Sequence, residues 1–307
     1  MVRSGRAMHS VTYLLTILAM LFYGASFVST KILLVDYGPI TIIFFRLLIS
    51  SGLLFAFAPP KREDRVPRRH RKYLILIAFF EPFLYFLFEN YGLRLVSASV
   101  ASIIIGTIPV VTPALARPLV GEKAGRATLI GLILSFGGVV IIVLDRALAA
   151  EYTVVGPLLM AGAVLAAVGY TVGVKAIPGT YRPVTIVRYQ SLVGALLFGP
   201  LFLATEAKSA FAVLPDLPSI GHLMFLAVFP STLSFLFLNR AIQRLGPTVA
   251  NGFINLIPVF TTALSFFVLG ELLTLQKVLG MLTVIAGVLL TQFRGRTRRE
   301  PIINVEA

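Results

Sequence analysis

The sequence predicts an all-α integral membrane protein with ten transmembrane helices arranged as two inverted five-helix repeats. Three observations carry that expectation: long apolar blocks, a one-sided spread of Lys and Arg, and a self-similarity at a shift of 149 residues. Of the 307 residues, 57% are hydrophobic and 13% are charged, whereas a soluble domain is nearer half apolar and a quarter charged. Stretches 11–32, 73–88 and 280–290 hold almost no charge, and runs of about 20 mostly apolar residues are long enough to span a bilayer as helix. With no Cys in the chain, disulfides and thiolate metal sites are excluded. Trp is also absent, so any interfacial aromatic belt must come from Tyr and Phe.

Ten segments follow in order. The first, 11–32, comes after "MVRSGRAMHS"; it is too long for a signal-peptide core and lacks a clear cleavage site, so it reads as an uncleaved span. The second, 39–58, carries Arg46, and the third, 73–91, carries "EPFLYFLFEN" behind the basic stretch "KREDRVPRRHRK". The fourth and fifth are 97–118 and 126–144. Segments 153–174, 183–204, 220–239, 247–269 and 275–292 complete the set, joined by short linkers that hold the turn residues and charges. The expected divisions are a cytoplasmic N-terminus at 1–10, a first repeat at 11–145, a second at 152–292 and a basic cytoplasmic tail at 293–307.

With the N-terminus inside, 21 of the 27 Lys and Arg residues fall on the cytoplasmic side and five on the other, with Arg46 within a span. That bias follows the positive-inside rule and places the chain as a multi-pass protein of the plasma (inner) membrane with both termini cytoplasmic. The net charge of +14 then records topology and contact with anionic lipid, which leaves no role for nucleic acid.

Between 86–139 and 235–288 there are 18 identities in 54 ungapped positions, among them Asn90/Asn239, Pro109/Pro258, Glu122/Glu271 and Gly138/Gly287. The opening spans align at an offset of 144, with Lys31/Lys175, Tyr37/Tyr181, Pro39/Pro183 and Thr41/Thr185. Five spans per half invert the second copy, a construction of many secondary transporters whose solute site lies near the midplane between the repeats.

The two blocks "IPVVTPALARPLVGE" and "IPVFTTALSFFVLGE", with "LLTLQKVLG" after the second, resemble the EamA-type branch of the drug/metabolite transporter superfamily. The likeness covers both halves; the first copy departs with Val120 where the position before Gly-Glu is usually Leu. It implies ten helices, cytoplasmic termini, and export or exchange of small metabolites such as amino acids.

In the fourth segment, Ser99, Ser102, Gly106, Pro109 and Pro113 recur at helical spacing, and their repeat mates are Thr248, Asn251, Asn255, Pro258 and Thr262. Two readings stand: a cavity-lining polar stripe broken at Pro109 and Pro258, or a seam of small residues for close helix packing. Amides in hydrocarbon need partners or water, which favours the cavity for Asn251 and Asn255. Glu81 falls near the bilayer centre, has Pro230 as its mate, and is the candidate for proton coupling; a protonated structural carboxyl is the rival reading. Counting helical rises puts Arg46 between Glu81 and Glu89 in depth, so either acid could be its partner. Tyr23, Tyr85 and Tyr170 are candidate aromatic walls, and Asn90 and Asn239 belong to the duplicated framework, at a gate or interface. Glu122 and Glu271 read as structural, capping or pairing at helix-connecting corners. "GAVLAAVG" lacks the Lys of a phosphate-binding loop and reads as a packing stripe.

The expected activity is secondary transport by alternating access, with export of a small metabolite such as an amino acid, driven by the proton gradient or by the solute's own gradient. The partners are that solute, protons, membrane lipid and a second copy of the chain as a homodimer. No cofactor, metal or catalytic nucleophile–base pair is called for, so an enzyme is not expected. A non-transporting scaffold or assembly subunit, and a solute channel, are the alternatives.

Overall fold

The computed structural model describes residues 2–61, 64–113, 126–147, 154–177, 181–270 and 274–293. Glu122 and Glu271, and nearly all of the basic tail, lie outside the described residues. Among the described residues every regular element is helical. In chain order they are α1 (Val2–Leu33), α2 (Pro39–Phe57), α3 (Arg68–Leu95), α4 (Ala98–Pro113), α5 (Arg126–Ala147), α6 (Val155–Ala176), α7 (Pro183–Thr205), α8 (Leu217–Leu245), α9 (Pro247–Leu269) and α10 (Leu275–Phe293). A short helix, Ala207–Ala212, joins α7 to α8. Seven of these, α1, α2, α3, α6, α7, α8 and α9, are long and apolar enough to cross a membrane, while α4, α5 and α10 contain shorter apolar stretches. Exposed Leu14, Phe57, Leu196 and Phe267 form an outer surface suited to lipid tails, which are as apolar as they are.

Helix ends are set by local chemistry. Pro39 and Pro183 start α2 and α7 at the first helical position, where the missing N–H has no helical partner in any case. Ser97 caps α4 by accepting from the N–H of Val100 at 3.3 Å. The sharp turn from α8 into α9 falls at Gly246, whose φ of 85° lies in the region that costs a side chain most and glycine least.

The packing is duplicated. α1 lies against α8 and α9, α6 lies against α3 and α4, α2 packs on α7, and α5 on α10. Exchanging each helix for the one five places along maps this set of pairs onto itself. In α5 against α10 the backbones nearly touch: a Cβ on Gly138 would come within 2.6 Å of the Gly280 carbonyl oxygen. The "GAVLAAVG" segment is a packing stripe, with Gly162 against the ring of Phe88 and Gly169 against that of Phe80.

α2 and α7 run antiparallel, tied crosswise at both ends. At one end Glu206 Oε2 accepts from the Thr41 N–H (2.7 Å) and Thr41 Oγ1 (2.8 Å), supplying the first turn of α2 with an acceptor and a negative charge. Gly38 leaves room for it, since a Cβ there would collide with the Glu206 carboxylate. At the other end Thr185 Oγ1 donates to Asp64 Oδ1 at 3.1 Å, and Arg188 reaches the Ala58 carbonyl at the end of α2. Thr41 and Thr185 are repeat mates, so each half ties its own Thr to an acid of the other half.

Two helices expected to be continuous are broken. α3 contains a wide turn over Phe79–Leu84, with Glu81 at φ −146°, ψ 115° and Pro82 within it. α8 contains its counterpart over Phe229–Ser234, with Pro230 near its start. Proline lacks the amide hydrogen a regular helix needs and its ring crowds the preceding turn. α3 is also longer than the expected 73–91, because its first turn is built from the basic residues after Pro67.

Candidate functional site

A small cavity sits where the broken part of α3 faces α1, α2, α4, α6, α8 and α9. Its polar lining is Tyr23, Ser26, Arg46, Glu81, Tyr85, Glu89 and Thr171; its apolar lining includes Phe27, Phe86, Ile105, Ile108, Ile254 and Ile257. The space open to water-sized centres is ≈ 30 Å³, room for about two waters.

Arg46 is among the largest fully buried side chains, at 1% exposure. Its Nε–H donates to Ser231 Oγ at 2.8 Å, and its guanidinium lies over the Phe86 ring, 4.1 Å from the centroid, a favourable cation–π placement. Among the described residues its two Nη groups have no acceptor. Arg46 interacts electrostatically with Glu89, and Glu89 in turn with Glu81. No ion pair closes between them; all three side chains line the one cavity instead.

The two acids are held differently. Glu89 accepts from the Tyr85 hydroxyl at 3.0 Å and from Asn90 Nδ2 at 3.3 Å. The Glu81 side chain has no hydrogen-bond partner among the described residues, although the residue is only 7% exposed. Its backbone is anchored, since Gln190 Nε2 donates to the Glu81 carbonyl at 3.0 Å. The Tyr23 hydroxyl is likewise buried without a partner. Buried polar groups are nearly always satisfied, so an acid and a phenol without partners among the described residues, lining one cavity with a guanidinium hydrogen-bonded only through Nε, point to water or a ligand as the missing partner.

Behind the wall a polar network braces the site. Tyr170 donates its hydroxyl to Asn239 Oδ1 at 2.9 Å, with Gln190 Oε1 at 3.2 Å; it ties α6 to α7 and α8 and does not line the cavity. Asn90 and Asn239 make the same bond, each from Nδ2 to the carbonyl four residues earlier, Phe86 at 3.0 Å and Phe235 at 2.8 Å. On the α8 turn, Thr232 Oγ1 lies 2.7 Å from Ser50 Oγ, which is 3.0 Å from Ser191 Oγ. Ser50, Ser231 and Thr232 do not stand out in the sequence, whereas Gln190 is the repeat mate of Arg46; the other legible signals are Ser50 and Ser51 four and five residues after Arg46, and a Pro beside hydroxyls in an apolar run.

The polar stripe of α4 and α9 falls elsewhere. Ser102 Oγ donates to the Ser99 carbonyl of its own helix at 2.8 Å. Asn251 Nδ2 donates to Thr112 Oγ1 at 2.8 Å and approaches Thr171 Oγ1 at 3.3 Å, joining α9 to α4 and α6. Asn255 is fully buried, with neither amide atom partnered. The cavity receives Ile105, Ile108, Ile254 and Ile257 from these helices instead. The reason lies in the backbone: α4 is interrupted at 106–107, just before Pro109, and α9 passes through a tight 3₁₀ turn at Phe253–Asn255, just before Pro258. A 3₁₀ turn has about 3.0 residues per turn where the α-helix has 3.6, so it swings the following face around.

The fold and site define a multi-pass helical membrane protein with a small buried cavity lined by charged side chains. The EamA-like transporter family model matches residues 10–144 and again 154–293. The chain belongs to the EamA-like transporter family. It is 30% identical over 288 residues to an uncharacterized transporter of Archaeoglobus fulgidus, covering 92% of this chain and 98% of that one. It is 25% identical to a protein of Streptantibioticus cattleyicolor named as a probable terminal-alkyne amino-acid exporter, covering 92% and 94%. A solved crystal structure superposes with a TM-score of 0.71 at 17% identity, covering 94% of this chain and 99% of that one, which shows the fold. The protein is a transporter, not an enzyme.

Proposed function

We propose that the protein exports a small metabolite such as an amino acid by alternating access, in exchange for protons. The observation that carries this is that Arg46 and Glu81 line one cavity, where the Nη groups and the carboxyl make no hydrogen bond, and the Tyr23 hydroxyl has no partner, among the described residues. An ionised side chain at membrane depth is costly unless it meets a partner or water. Arg46 would take the solute's anionic group, since its planar fork matches a carboxylate. Tyr23, Tyr85 and Phe86 would wall the remainder. Glu81, free of protein donors, would take up a proton when the cavity faces the outside and release it to the cytoplasm.

The chain would span the plasma membrane ten times, as two inverted five-helix repeats with both termini cytoplasmic. The duplicated helix pairs, the antiparallel run of the mated helices α2 and α7 and the two family matches support that reading. The cavity as it stands holds about two waters, so a solute enters only when the helices part. The ties at the two ends of the α2–α7 pair, Thr41–Glu206 and Thr185–Asp64, suit two gates that open in turn. A screen of amino acids and related metabolites with the purified protein in proteoliposomes tests the proposal. Saturable counterflow of one solute class, enhanced by an imposed pH gradient, is expected; non-saturable flux would indicate a channel, and no flux a scaffold.

A further inference from the structure

A second cavity, of about 670 Å³, opens between the end of α2, the start of α3 and the first turns of α7. Its described charged lining is Lys61, Arg65, Arg71 and Arg188 against one acid, Asp64. That acid is already committed. Asp64 accepts from the Lys61 N–H at 3.1 Å and from Thr185 Oγ1 at 3.1 Å, and lies 3.6 Å from Arg182 and 3.9 Å from Arg188. Burial pushes its carboxyl up, but those donors and the two guanidinium groups outweigh burial and hold it below the usual carboxylate range. Among the described residues the cations around it are therefore in excess.

Arg188 supplies the independent sign of a ligand. It is 4% exposed, its Nη2 is spent on the Ala58 carbonyl, and its Nε–H is buried with no acceptor among the described residues. Apart from Tyr189, the remaining lining is apolar: Phe55 and Leu192, both exposed, with Val66, Pro60 and Pro67. Basic side chains thus meet exposed apolar ones, with Phe57, also exposed, two residues on from Phe55 in α2. Water-soluble anions need only the first feature; a phospholipid uses both.

We propose that this cavity binds the phosphate headgroup of an anionic phospholipid, with its acyl chains lying along Phe55 and Leu192. Several arginines suit a phosphate because each guanidinium can donate in parallel to two oxygens, and basic pockets between transmembrane helices hold anionic headgroups. Occupancy would brace the crossing of α2, α3 and α7, the same junction that carries the Thr185–Asp64 tie. The site needs only membrane embedding and does not depend on the transport reading.

The test is native mass spectrometry of the full chain in detergent, with phosphatidylglycerol or phosphatidylcholine added, each with and without excess inorganic phosphate. Lys61 and Arg65 are both exposed, so Lys61→Gln with Arg65→Gln spares the fold. That double variant should lose about tenfold or more of the phosphatidylglycerol adduct, at about fivefold per cation. Arg68→Gln with Lys72→Gln removes equal charge from the same basic stretch outside the cavity and should leave the adduct within about twofold. Equal loss in both double variants, equal uptake of phosphatidylcholine, or ready displacement by inorganic phosphate would overturn the proposal.

Discussion

The two wide turns occupy matching places in the two halves and do opposite jobs. In α3, Phe79–Leu84 offers an acid: the Glu81 carboxyl lines the cavity without a protein partner. In α8, Phe229–Ser234 offers hydroxyls: Ser231 holds the Nε–H of Arg46 and Thr232 holds Ser50. The backbone device is shared and the chemistry is not. One half brings the group proposed to titrate, and the other steadies the cation facing it. The two turns fall at matching sequence positions, and the side chains they carry differ.

Substitutions can break that comparison at several strengths. Arg46→Ala should have the largest effect, removing the cation and leaving Ser231 unpaired, with about 3 kcal/mol lost in stability or solute affinity. Thermal unfolding and counterflow on the same preparation separate the two contributions. Ser231→Ala removes one hydrogen bond to a charged group, so a loss of about 1.5–3 kcal/mol is expected; apparent solute affinity should fall while the protein stays folded. Tyr170→Phe should cost about 1 kcal/mol, because it removes the hydroxyl that Asn239 Oδ1 accepts from at 2.9 Å. Thermal unfolding unchanged from the parent would mean that the Tyr170 bond contributes little.

The smallest effect belongs to the tie at the far end of α2. Asp64→Asn should cost about 1 kcal/mol at neutral pH. The folded-state pKa of Asp64 is lowered, so its contribution is present above the ordinary carboxylate pKa and fades as pH falls through the lower folded value. The difference in melting temperature between Asp64→Asn and the parent should therefore shrink below about pH 4. A penalty that persists in acid would place the effect in packing rather than charge.

The all-helical membrane outline was legible because hydropathy reports on whole segments. Counting rises put Arg46 between Glu81 and Glu89 in depth, and the structure lines one cavity with all three. The faces of α4 and α9 were not legible. A stripe at helical spacing assumes an unbroken helix, and the interruptions before Pro109 and Pro258 turn Asn251 toward Thr112 while Ile254 and Ile257 meet the cavity. Breaks in α3 and α8 escaped for a related reason: apolar composition marks a span, whether its backbone is regular or kinked. Pro82 and Pro230 were the visible signs.

The central claim is that Glu81 carries the proton. Its most direct test is transport by Glu81→Gln in proteoliposomes, with and without an imposed pH gradient. Gln keeps the shape and cannot ionise, so pH-driven transport should fall by about tenfold or more while solute exchange at equal pH continues. Transport driven by the pH gradient as fast as in the parent protein would contradict the account.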